Sequence, residues 1–208
     1  MPNGSNKGAA FERKICRMLS EWWTNGARDD VFWRTSQSGG RATERAKKGQ
    51  TTSGQYGDIA ATDPIGKPLI DCFMFELKHG YSKTPFINLS QCVLAPFVLK
   101  WMTKLNNQAA KAGTLSWALI YKADNKATLI ILPVSFFQLH APDLRARVLA
   151  MTHIITPWNV RNGLGDDVTD NVLIMPFEAF LQSVGPEQIP QPQHGNVPSL
   201  VSFMTEDA

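Results

Sequence analysis

The sequence predicts an α/β fold: a central mixed β-sheet flanked by helices. Two observations carry this. Helices and strands alternate in blocks along the chain, in the order helix, strands, helix, strands. The two clearest helices are amphipathic, whereas the segments between them are short apolar runs bounded by turn residues. The 208 residues suit one domain of ordinary size with extra segments. With 43% hydrophobic and 19% charged residues, and 11 Phe and 6 Trp for a core, the chain reads as soluble and globular.

The first helix is predicted from about Lys7 to Trp23. Phe11, Ile15, Met18, Leu19, Trp22 and Trp23 form one stripe, and Arg13, Lys14, Arg17, Ser20 and Glu21 the other side. Val31 to Thr35 reads as a short strand, followed by a long polar loop from Ser36 to Gln55. Tyr56 to Thr62 is a second strand, Asp63 to Pro68 a turn, and Leu69 to Lys78 a third strand. Pro96 opens a helix that Gly113 closes. Leu115–Tyr121 and Ala127–Leu132 are strands of a hairpin turning at Lys122–Lys126. A helix over Asp143–Met151, a strand over Asn171–Met175 and a helix over Phe177–Val184 follow. The segment 141–184 is expected to be an extension packed on a core formed by residues 1–140. The Pro- and Gln-rich end, 185–208, is expected to be flexible.

No apolar run approaches the roughly 20 residues that cross a bilayer. The polar start, Met1 to Gly8, lacks the apolar stretch of a secretory signal, so a cytoplasmic protein with no membrane partner is expected. Cys16, Cys72 and Cys92 are odd in number and widely spaced, indicating neither a disulfide framework nor a zinc site. Charge is uneven: residues 1–156 carry a balance of +9 and residues 157–208 one of −6. A basic body with an acidic end suits a nucleic-acid binder.

The chemistry concentrates in Gly57-Asp58-Ile59 and Phe75-Glu76-Leu77-Lys78. Strand alternation puts Glu76 and Lys78 on one side and His79 on the other. A carboxylate on so apolar a strand is costly unless something binds it. Asp58, on the preceding strand, reaches Glu76 if those two strands pair. Two carboxylates on rigid strands suit a hard cation such as Mg²⁺, with Mn²⁺ as a substitute. Lys78 beside them can orient a water or neutralise charge on a phosphate. The alternative is an ordinary Glu–Lys pair at a solvated strand end.

Glu12 lies inside the apolar stripe of its helix, between Leu19 and Trp23 at about 100° per residue. It either faces the carboxylate site or pairs with an arginine at the core edge. Gln108 likewise falls among Trp101, Met102, Leu105 and Ala109, and either turns toward the site or satisfies a buried backbone group. The loop basic residues Arg41, Arg45, Lys47 and Lys48 suit a phosphate backbone.

These residues, in order, resemble the PD-(D/E)XK nucleases, and within them the Holliday-junction-resolvase-like branch. The matching positions are Lys7-Gly8, Phe11-Glu12-Arg13, Arg34, Ser38-Gly39-Gly40, Gly57-Asp58-Ile59-Ala60, Phe75-Glu76-Leu77-Lys78 and Gln108, completed by the strand pair Leu115–Tyr121 and Ala127–Leu132. They span about residues 7–133. Gly57 stands where the family usually has proline, the loop from Gly40 to Gly57 is long, and Ser82–Pro96 has the character of an insertion. The resemblance implies a restriction-endonuclease-like core with Asp58 and Glu76 as metal ligands and Lys78 catalytic. It also implies Glu12 as an accessory ligand, and Ser38 and Gln108 as accessory residues. Arg34 joins the expected DNA contacts.

The expected partner is DNA, double-stranded and branched. Symmetric cutting of a junction implies a homodimer, with the apolar stretch Ser82–Trp101 as interface material. A sequence-specific restriction-like nuclease, an RNA-directed nuclease and a non-cleaving DNA-binding protein remain alternatives.

Overall fold

The computed structural model describes residues 4–35, 57–81, 85–88, 93–161 and 167–191. Helix α1 (Gly4–Trp23) buries Phe11, Ile15 and Leu19 along the stripe expected of it. Ser20, also buried, ties the helix to the next element: its Oγ donates to Cys16 O and accepts from Phe32 N, both at 2.9 Å. Strand β1 (Phe32–Arg34) pairs antiparallel with β2 (Ile59–Ala61).

Between β2 and the main sheet the chain departs from the expected turn and long strand. A 3-10 turn (Pro64–Gly66), capped by Asp63, leads into a short helix α2 (Lys67–Cys72). Strand β3 begins only at Phe73 and ends at His79. Pro68 sits in the first turn of α2, where its missing N–H costs nothing, and Lys67 pairs with Asp71 one turn on. Leu69 and Cys72, three apart, both face the core. The apolar run Leu69–Phe75 is therefore half helix and half strand, an ambiguity that periodicity cannot resolve in short runs.

The main sheet has five strands. Beyond β3, two-residue strands β4 (Ile87–Asn88) and β5 (Val93–Leu94) form a small antiparallel ladder. Helix α3 (Pro96–Ala112), closed by left-handed Gly113 at φ 71°, carries the chain across to β6 (Ser116–Lys122). β6 lies parallel to β3, the arrangement that needs such a crossover. β6 then pairs antiparallel with β7 (Thr128–Pro133) through the expected hairpin, with Asn125 at φ 58° in its turn.

Helices α4 (Val134–Leu139) and α5 (Pro142–Leu149) precede β8 (Ile154–Arg161) and β9 (Asp167–Pro176), and α6 (Phe177–Ser183) follows. The strand order is β3-β6-β7-β9-β8, so residues after 150 extend the sheet itself. Neither α4 nor β8 was expected, and β9 is longer than the predicted Asn171–Met175. Past α6, Ile189 is buried after a 3-10 turn (Pro186–Gln188), and residues 192–208 lie outside the described residues.

The sheet separates two cores. Phe73, Phe75 and Leu77 of β3 face one, with α1, α2, α4, α5 and α6. Met74 faces the other, with Val98, Met102 and Leu105 of α3 and the Trp117–Trp158 pair. Leu94 and Val98, within the stretch Ser82–Trp101 expected as interface material, are buried in this second core. Cys16 and Cys72 are free buried thiols, and Cys92 lies outside the described residues. Among the described residues no helix is long and apolar enough to cross a membrane.

Candidate active site

Asp58 does not reach β3 by a hairpin, as the sequence suggested. β2 pairs with β1, and Asp58, just ahead of β2, makes the hydrogen bonds to β3. Its N–H donates to Phe75 O at 2.8 Å, and its Oδ2 accepts from Leu77 N at 2.7 Å. On its other side Asp58 O accepts from Thr35 N at 2.9 Å, while Thr35 Oγ1 donates to Gly57 O at 2.9 Å. This close approach explains Gly57. Its φ is +82°, and a Cβ there would stand 2.6 Å from Phe75 O. Proline, locked near a φ of about −65°, has no place at this position.

Asp58 is 8% exposed. Burial, then the charge of Glu76, pushes its carboxyl up to about 6, against the Leu77 N–H and Lys78, which favour the ionised form. Glu12 adds a further, smaller repulsion. The carboxylates of Asp58, Glu76 and Glu12 therefore share one electrostatic neighbourhood.

Glu76 and Lys78 alternate with the buried Phe75 and Leu77, so both project on the α3 side of β3. Lys78 Nζ donates to Glu76 Oε1 and stands 5.8 Å from the ring centroid of Trp101 on α3. Burial pulls the lysine down, but the charge and hydrogen bond of Glu76, with the charge of Asp58, outweigh it and hold Lys78 above its ordinary value. The ammonium is thus charged at neutral pH.

Glu12 approaches from α1. Its Oε2 lies 3.0 Å from Arg34 Nε, within ion-pair range. That same oxygen is buried and makes no hydrogen bond, because the guanidinium is close without being aligned. Arg34, expected to touch DNA, pairs with Glu12 here. Among the described residues no three His, Cys, Asp or Glu side chains close into a metal cage. Each acid is held by a protein group: Asp58 by Leu77 N–H, Glu76 by Lys78 and Glu12 by Arg34. Even so, the donor set fits a hard cation. It consists of oxygens alone, one carboxyl is raised by burial and a like charge, and one buried oxygen lacks a hydrogen bond.

The other candidates divide. His79 lies on the opposite face, its ring 5.2 Å from that of Phe11 and its Nε2 3.8 Å from Asp124 Oδ1. Gln108 is half-buried on α3, about 10 Å along the axis from Trp101 and away from Lys78. Ser38, Arg41, Arg45, Lys47 and Lys48 lie outside the described residues.

Two features escaped the sequence. Trp101, with Phe97 and Tyr81, forms a ring cluster beside Lys78. On the outer face of α1, a groove of about 500 Å³ is lined by Arg13, Lys14, Arg17, Asp29 and the half-exposed Trp33. The basic helix face was visible beforehand; that β1 would bring Trp33 beside it was not.

A family described as "Phage putative PDDEXK endonuclease" matches residues 3–191. No curated protein and no solved structure matches the chain.

Proposed function

The chain belongs to this PDDEXK endonuclease family, and from that premise we propose that it hydrolyses DNA phosphodiester bonds with a divalent metal ion. One observation supports this above all. Asp58, Glu76 and Lys78 meet at the edge of β3, with Glu12 close enough to perturb Asp58. Asp58 and Glu76 would hold the ion, with Glu12 as a further donor from the α1 side. Held by these carboxylates, a Mg²⁺ or Mn²⁺ ion would supply Lewis acidity toward the phosphate and the attacking water.

The protein's own groups do the rest. The Leu77 N–H fixes one oxygen of Asp58, so its carboxylate is oriented before any substrate arrives. Lys78, kept charged by its neighbours, is placed to offset negative charge growing on the phosphate or to orient the attacking water. Arg34 holds Glu12 in place. For backbone contacts, Arg13 and Lys14 on the α1 groove join Arg41, Arg45, Lys47 and Lys48 of the loop. Within this reading the substrate is branched DNA.

The test is incubation of the protein with linear, nicked, flapped and four-way DNA, with Mg²⁺ and with EDTA. Cutting is expected only with the metal. Glu76→Ala and Lys78→Ala should each abolish it while DNA binding persists. Turnover by Glu76→Ala at the wild-type rate would overturn the proposal.

A further inference from the structure

Directly after His79 the chain leaves β3 through two left-handed residues, Gly80 at φ +100° and Tyr81 at φ +61°. Glycine takes this conformation freely, whereas a tyrosine there is strained. The turn is held in place: Gly80 N–H donates to Lys122 O at 2.9 Å, and the Tyr121 hydroxyl donates to Gly80 O at 3.3 Å. The strained residue is also the exposed one. Tyr81 is 53% exposed, although its ring is large and apolar.

Its surroundings are aromatic. The Tyr81 ring stacks on Phe97 at 5.8 Å and 15°, and meets Trp101 edge-on at 4.7 Å. Phe97 and Trp101 touch each other at 4.9 Å. Trp101 is the ring that faces Lys78 Nζ. The result is an exposed flat ring, backed by two others and three positions along the chain from the lysine of the proposed phosphate site.

We propose that Tyr81, supported by Phe97 and Trp101, is a stacking platform for one unpaired base of the DNA strand whose phosphate lies at Asp58, Glu76 and Lys78. This rests on the nuclease reading and deepens it to a substrate class: DNA with a single-stranded portion at the cut site. Charge and shape argue together. A nucleotide presents an anion and a π-face close to each other, and here a cation and an exposed ring both lie against Trp101. Every base has such a face, but a base paired within continuous duplex has both faces covered by its neighbours. An exposed aromatic ring is therefore available to unpaired bases.

The experiment measures binding in EDTA, where no cutting occurs, by fluorescence anisotropy. The probes are a labelled single-stranded DNA oligonucleotide and one of equal length whose sugars lack bases. Tyr81→Ala and Tyr81→Leu should each weaken binding of the first by about 5–150-fold, the effect of losing one base–ring stack. Tyr81→Phe should bind as wild type does, and none of the three should change binding of the abasic strand. Equal losses on both probes would show that Tyr81 acts through packing and would overturn the proposal. So would no loss on either, tighter binding of an RNA strand than of the DNA, or a dimer in sedimentation that Tyr81→Ala dissociates. Wild-type protein that binds DNA in this pattern but cuts none with Mg²⁺ or Mn²⁺ would defeat the nuclease reading and leave the platform standing.

Discussion

The two edges of the five-stranded sheet are protected in opposite ways. β8 carries an exposed proline, Pro157, in mid-strand, a residue with no N–H to offer another chain. β3 is covered by Asp58, whose N–H meets Phe75 O and whose carboxylate takes the Leu77 N–H. Proline blunts an edge cheaply. A carboxylate withdrawn from water and set beside Glu76 is an expensive way to do the same thing. An expensive device at one edge and a cheap one at the other set β3, where the proposed site lies, apart from β8, whose edge needs only to resist another chain.

This contrast can be broken by substitution. The largest effect is expected at Gly57. Gly57→Ala should destabilise the protein by more than about 2 kcal/mol, from its left-handed backbone and the clash with Phe75 O. Gly57→Pro should prevent Asp58 from docking at all; urea melts measure both. A Gly57→Pro protein with the stability of the parent would show that Asp58 is not held by this approach.

Asp58→Asn keeps an acceptor for Leu77 N–H and removes the strained charge. In metal-free protein at pH 7 it should raise stability, by at most about 3 kcal/mol for a value near 6 against an ordinary 3.8. The sign follows from proton binding. Between pH 4 and pH 6 the folded state retains a proton that the unfolded chain has released, so stability falls as pH rises through this window. The advantage of Asp58→Asn should therefore be full above pH 6 and vanish below pH 4, while cutting is lost. Melting temperatures at pH 4 and pH 7 decide it, and an advantage that persists at pH 4 would refute the assigned cause.

Glu12→Gln should lower Mn²⁺ affinity, read by titration calorimetry, by about 10–100-fold, the range for groups that support a metal site. If it unfolds the protein while the surviving fraction cuts normally, Glu12 belongs to the ion pair with Arg34 alone. The smallest effect is expected at the far edge. Pro157→Val should leave stability within about 0.5 kcal/mol but promote self-association on concentration, visible by light scattering.

The sequence exposed those parts of the fold whose patterns are local. α1 and α3 show a stripe at helical spacing, the β6–β7 hairpin has turn residues between two apolar runs, and Glu76 and Lys78 alternate on one strand. It hid the parts decided by tertiary contact. α2 is an apolar stretch that periodicity assigns to a strand. β8 contains a proline that only an edge position tolerates. Asp58 was recognised, but not its route to β3, because the sheet partner of β2 lies far upstream in the chain. Tyr81 joins its rings only when α3 folds back over β3, and nothing local announces a left-handed tyrosine.

The clasp between Thr35 and the Gly57–Asp58 backbone has a consequence for how this protein can diverge. Its two hydrogen bonds bring together the ends of the segment 36–56, whatever lies between them. Where two points of a chain are pinned together, each doubling of the length between them costs only about 0.6 kcal/mol of closure entropy. Insertions, deletions or wholesale replacement there leave the register of Asp58 against Phe75 and Leu77 untouched. The clasp thus anchors the carboxylate through Thr35 and the Gly57–Asp58 backbone, whatever sequence joins them.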